Sequence, residues 1–151
     1  MIKHQGGCHC GQVKFKTDYD PLLVTQCHCQ RCRRLSGTMT FYTIFGDDEV
    51  LFEGKLGQYD FLGGSGMPMR LFFCQQCSTK LYYVADVFEG FKLVVAGSFD
   101  DSSDLEPQAE VFTNNKMSWL RDNGCIQHRF PEAGLYDRLQ IMIDNLEKRS
   151  A

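Results

Sequence analysis

Long apolar runs are missing from this chain. No stretch approaches the roughly 20 apolar residues that would span a bilayer, and the N-terminus, MIKHQGGCHCG, lacks the uninterrupted apolar core of a signal peptide. Positive charge is also scarce: 16 Lys and Arg stand against 19 Asp and Glu, a net charge of -3, so no broad basic field exists to collect a phosphate backbone. Neither a membrane nor nucleic acid is expected as a partner, and the expected location is cytoplasmic. Heptad arrays, long repeats and low-complexity tracts are absent too, although the tripeptide CHC occurs twice.

What is present fits one compact domain. A chain of 151 residues buries about two thirds of the surface its unfolded form exposes, so metal is not needed merely to rescue a tiny core. An aromatic share of 13%, with 12 phenylalanines, predicts a sheet-rich interior, because rings pack well on pleated surfaces. The eight cysteines are read against a reducing compartment, where clustered thiols mean metal or chemistry more often than covalent staples. Bridges within a Cys-x-Cys pair would in any case be strained.

Periodicity supplies the elements. QVKFKT (12–17) alternates apolar and polar residues, and MTFYTIF (39–45), VLFEG (50–54), GQYDFL (57–62), MRLFFC (69–74), KLYYV (80–84) and FKLVVAG (91–97) follow as strands separated by turn-forming segments. This predicts a β-meander. SFDDSSDLEPQ (98–108) reads as a polar surface connection before a last strand near AEVFT, and CQRCRRLSG as a short helical turn ended by Gly37. From Glu132 onward, Leu135, Leu139, Met142 and Leu146 recur at helical spacing, with Lys148 and Arg149 in the final turn. That helix is expected to pack on the sheet or to join two copies into a homodimer. The division is therefore residues 1–131, a cysteine-bearing β domain, and 132–151, a C-terminal helical extension.

The cysteines sort by spacing into Cys8-x-Cys10, Cys27-x-Cys29-x-x-Cys32, Cys74-x-x-Cys77 and a solitary Cys125. Two short knuckles can each present two sulfurs to one tetrahedral zinc, so Cys8, Cys10, Cys74 and Cys77 form a candidate four-sulfur structural site. Cys27, Cys29 and Cys32 are left without a second knuckle. Three protein ligands and an open position characterise a catalytic zinc, whereas a fourth ligand from His28, Cys125 or a carboxylate would make the site structural. Iron also accepts tetrahedral thiolates. His28 sits between two candidate ligands and should point away from them in an extended segment, and no spacing favours ligation by His4, His9 or His128. Arg31, Arg33 and Arg34 on the same turn are either a solvated face or cations that offset three thiolates on a divalent ion and steer an anionic ligand.

In their order, GGCHCG, CHCQRCRRLSG, FFCQQC and AGSFDD resemble the glutathione-dependent formaldehyde-activating family, also called the CENP-V/GFA domain, from about Gly6 to Trp119. The resemblance implies a β-tent of several twisted antiparallel sheets with zinc knuckles. It also implies a structural zinc on Cys8, Cys10, Cys74 and Cys77 and a second, catalytic zinc on Cys27, Cys29 and Cys32. The family's reaction joins formaldehyde to glutathione or reverses that addition as a carbon-sulfur lyase, so the implied partner is a small thiol/aldehyde adduct, with glutathione as cosubstrate. Asp100, Asp101 and Tyr42 are candidate general acids. A non-catalytic binding module and a zinc or redox sensor are the rival functions. Departures from the family pattern are Ser78 where glycine often follows the CxxC pair, Glu110 and Val111 where a late-strand histidine is often found, and the helix after Pro131.

Overall fold

A computed structural model describes residues 1–150. Strict alternation builds the smaller sheet. Strands β1 (His4–Gly7), β2 (Lys14–Thr17) and β5 (Val50–Glu53) pair antiparallel in the order β1-β2-β5, and in β2 Phe15 and Thr17 are buried while Lys14 and Lys16 face water. The larger sheet contains β3 (Leu23–Cys27), β4 (Thr40–Gly46), β6 (Leu56–Leu62) and β7 (Pro68–Cys74). It also contains β8 (Lys80–Ala85), β9 (Phe91–Val95), β10 (Ala109–Val111) and β11 (His128–Arg129), in the order β11-β10-β3-β4-β9-β8-β7-β6. The fold is mostly β with a C-terminal helix, as expected.

The meander is real from β6 to β9 but is broken before it, because β5 crosses to the smaller sheet. The reason lies in its alternate residues: Val50 is fully buried, and the Phe52 ring packs 5.0 Å from Phe15 and 4.5 Å from Tyr82, bridging the two sheets. A second difference concerns direction. Pairing is antiparallel except where β10 runs parallel to both β3 and β11. The segment 98–108 returns the chain to make that parallel neighbour, and it is not simply a surface connection: Ser98, Phe99 and Leu105 are buried. β1 and β11 escape sequence reading because HQGG has no alternation and His128–Arg129 is only two residues long.

Both faces of the larger sheet are covered. Phe45 and Val94 point toward the smaller sheet, where they meet Phe15, Val50 and Phe99; Tyr42, Ile44 and Leu93 point the opposite way, toward Leu23, Val111 and Met142. The second layer is closed by α2 (Leu135–Ser150). Its inward stripe differs from the apolar one read from sequence. Met142 is buried and Leu135 and Leu139 are half-buried, but Leu146 is exposed, and Arg138, Asn145 and Arg149 occupy the inner positions. These polar side chains are mostly satisfied. Asn145 Nδ2 donates to the Leu22 carbonyl at 2.7 Å, and the Arg149 guanidinium donates to both oxygens of Glu49 at 2.7 and 3.1 Å.

No helix among the described residues is long and apolar enough to cross a membrane. The Glu49–Arg149 fork, together with the Gly46 N–H donated to Glu49 at 2.8 Å, pins the end of α2 to the β4–β5 turn. Glu49→Ala is expected to lower unfolding free energy in urea by about 1–3 kcal/mol, because it leaves a half-buried guanidinium without its bidentate partner.

Candidate metal centres

The first thiol group is assembled from distant segments. Cys8 and Cys10 lie in the turn after β1, Cys74 ends β7, and Cys77 sits in the turn before β8. Their four sulfurs lie within 4.8 Å of one another, with Cys8–Cys10 at 3.6 Å and Cys10–Cys74 at 3.7 Å. Thiolates at about 2.3 Å from a tetrahedral zinc stand about 3.8 Å apart, so this donor set fits that ion. One backbone and one side-chain contact hold the sulfurs: Val13 N–H donates to Cys8 Sγ at 3.1 Å, and the Thr79 hydroxyl oxygen lies 3.1 Å from Cys77 Sγ. The Thr79 hydroxyl and N–H hold the Cys77 thiol down at about 5, an acidity suited to a metal-binding thiolate.

The second group is local. Cys27 closes β3, Cys29 is the N-cap of α1 (Gln30–Ser36), and Cys32 lies in its first turn, with all three sulfurs within 4.8 Å of one another. Cys29 Sγ accepts the Cys32 N–H at 3.3 Å, and Gly37 ends the helix at φ 96°, the left-handed exit that glycine permits. Hydrogen bonds from Cys27 and Cys32 pull the Cys29 thiol down to about 2; the same contact with Cys29, then with Cys32 and burial, pushes Cys27 up. Once one sulfur is ionised its neighbours hold their protons, and a cation that takes all three as thiolates must displace those protons.

No fourth donor joins this group among the described residues. His28 turns away, buried, with Nε2 3.0 Å from Glu110 Oε1, and Cys125 belongs to neither thiol group. A cavity of about 90 Å³ opens against the three cysteines, and its walls include Tyr42, Tyr83, Phe88, Phe112 and Arg138. Arg31 lines it as well, its guanidinium 5.8 Å from the Phe112 ring centre, whereas Arg33 and Arg34 do not. The tip of the β6–β7 hairpin closes over this rim. A side chain at Gly64 would meet Arg31 Nη2 and the Phe112 ring, each at 2.7 Å, and would push both aside from the rim. Phe112 itself holds φ at 55°, a left-handed conformation costly for a bulky residue, and this bend turns its ring into the cavity wall.

Of the candidate acids, only Tyr42 lines this cavity; Asp100 lies in a separate groove beside Cys8, and Asp101 is engaged with Ser103 at 2.6 Å. Burial pushes the Tyr42 phenol well above its ordinary value, and the Arg138 guanidinium only partly opposes this. Sequence reading missed Arg138, Phe112 and Tyr83. The one signal for Arg138 was a cation four residues before Met142, on the apolar stripe of a helix.

The profile of the family described as glutathione-dependent formaldehyde-activating enzyme matches residues 3–115. The chain belongs to this family. A crystal structure of a Rhodobacter sphaeroides protein is similar over 68% of this chain and 96% of its own, with 21% identity and a TM-score of 0.53, a likeness that speaks for the fold alone. No curated protein matches. Two of the three departures from the family pattern have structural explanations. Ser78 adopts φ 67°, so the turn after the CxxC pair keeps a glycine-like conformation on a serine. Glu110, in the late strand, is the acceptor for His28 and also for Lys116, whose Nζ donates at 2.9 Å, while Arg129 Nε lies 3.2 Å from its other oxygen.

α2 lies beyond the matched residues, so the family profile does not account for Arg138.

Burial of Glu110 raises its carboxyl, but the hydrogen bonds from Lys116 and His28 prevail and hold it below its ordinary 4.5. A depressed folded value contributes stability above pH 4.5 that is lost as pH falls through that folded value. Glu110→Gln is expected to cost roughly 3 kcal/mol at pH 7, since the half-buried Lys116 and the more exposed Arg129 lose their counter-charge and the buried His28 loses a charged partner. In a series of denaturant titrations the gap from wild type should narrow below pH 4.5.

Proposed function

We propose that the chain is a zinc-dependent carbon-sulfur lyase or synthase of the glutathione-dependent formaldehyde-activating type, working at Cys27, Cys29 and Cys32 on a small thiol/aldehyde adduct. The first thiol group holds a structural zinc and the second a catalytic one. The observation that carries this reading is the three-sulfur group with a cavity against it and no fourth donor from the chain.

A zinc bound by the three thiolates would lower the pKa of an incoming thiol and so provide a nucleophile near neutral pH. In the forward direction a C–S bond forms between thiol sulfur and aldehyde carbon, the carbonyl π bond breaks, and the carbonyl oxygen takes a proton. Tyr42 is placed to hold that proton. Arg138 Nη1 donates to Tyr42 Oη at 3.3 Å, which leaves the phenol's own hydrogen free to point elsewhere, and its raised pKa keeps that hydrogen bound near neutral pH. The surrounding Phe61, Phe88 and Leu93 make the wall apolar, which strengthens the polar contacts beside it.

Cys29→Ala should abolish turnover of formaldehyde with a thiol while elemental analysis still finds the first ion; full activity with the second site metal-free would refute the proposal. Tyr42→Phe should lower kcat by roughly 100-fold with the metal content unchanged, the loss expected for a missing proton donor.

A further inference from the structure

Arg138 is the least explained charge in the molecule. It is 4% exposed, comes from α2 rather than from the residues that match the family, and faces the cavity at the three cysteines. No carboxylate balances it: among the described residues it takes part in no ion pair, and the cavity lining contains neither Asp nor Glu. Its Nη1 donates to Tyr42, its flat face lies 4.8 Å from the Phe88 ring centre, and its buried Nε has no partner. The edge formed by Nε and Nη2 is one that grips a carboxylate through two parallel hydrogen bonds. Tyr83, also lining the cavity, has an unpartnered buried hydroxyl, and burial pushes it up to about 12, so it remains a donor.

A buried guanidinium carries a desolvation cost that one hydrogen bond to Tyr42 and the Phe88 ring offset in part and that an anion would offset more fully. Two anions are available to such a group, the thiolate cluster itself or a guest. The thiolates accept no hydrogen bond from Arg138, whose one donated bond goes to Tyr42. The size of the space narrows the guest. Pockets for drug-sized ligands run to about 300–1,000 Å³, whereas the cavity here is about 90 Å³. We propose that Arg138 is a substrate-binding residue that selects a small thiol bearing a carboxylate within a few bonds of its sulfur, the carboxylate at the Arg138 guanidinium and the sulfur at the cysteine group. A tripeptide thiol must leave most of its atoms outside. This inference rests on the proposed function for the sulfur end of the ligand and on Arg138 alone for the other end.

The test is calorimetric titration of the zinc-loaded full chain with 3-mercaptopropionate, 2-mercaptoethanol and glutathione. The carboxylated small thiol should bind about tenfold or more tighter than the neutral one and than glutathione. Arg138→Met should erase the preference for the carboxylate, and Arg138→Lys should keep part of it. Equal affinities for the two small thiols in the wild type overturn the proposal without any variant; so does tighter binding of glutathione, or a preference undiminished in folded Arg138→Met. An arginine that only balances the thiolates would lose metal on substitution and show no preference among thiols, which also overturns it. Propionate separates the two readings if no thiol binds at all. A Tm increase in wild type that is absent in Arg138→Met keeps the arginine assignment while the metal reading fails, and no increase rejects both.

Discussion

Three sulfurs drawn from six consecutive residues lie on one side of whatever they hold, since a strand end and a single helical turn cannot wrap around an ion. The rest of the structure decides what lies on the other side. β3 is flanked by β4 and β10, and the pairing sets Cys27 opposite Thr40 on one neighbour and Val111 on the other. Two residues beyond Thr40 on the same strand face stands Tyr42, and one residue beyond Val111 the backbone bends and delivers the Phe112 ring. The open side of the thiol group is thus enclosed by the strands that hold it in place, and by a helix from the far end of the chain.

Charge is partitioned across this segment. Behind Cys27 the His28 side chain reaches Glu110, where Lys116 and Arg129 gather as well, so the negative charge on that side has its own cations. In front, the cavity has thiols and arginines and no carboxylate. Alternation of side chains along an extended backbone separates the two environments: neighbouring residues in a strand look opposite ways, and Cys27 and His28 do so here. Alternation points His28 away from the two candidate ligands that flank it, and Glu110 gives the turned-away ring a partner.

The four-sulfur group plays a different part. It brings the turn after β1 up to the end of β7, where the smaller sheet meets the far half of the larger one beside the layer built on Phe15, Val50 and Phe99. β3 and β4 lie between that layer and α2, and the geometry of the second group depends on them.

Local chemistry was legible in the residue order. Knuckle spacing identified both thiol groups, alternation located β2, β4 and β6 to β9 within one or two residues, and Gly37 marked the end of α1. These features depend on neighbours a few positions apart, which is why a linear reading reaches them. The crossing of β5, the inward face of α2 and the turning of His28 toward Glu110, like the pairing of β10 with β3, depend on partners far away in the chain, from 33 residues for Val50–Thr17 and 82 for Glu110–His28 to 123 for Asn145–Leu22. Apolar periodicity alone placed Leu146 inside the helix packing, but Glu49 and the Leu22 carbonyl offered Arg149 and Asn145 better-satisfied positions and rotated the stripe. The amino-acid order by itself determined that thiols would gather in a set of four and a set of three. Only the tertiary structure decided what the set of three would face, because a cavity wall is made of side chains that meet through packing rather than through proximity in the chain.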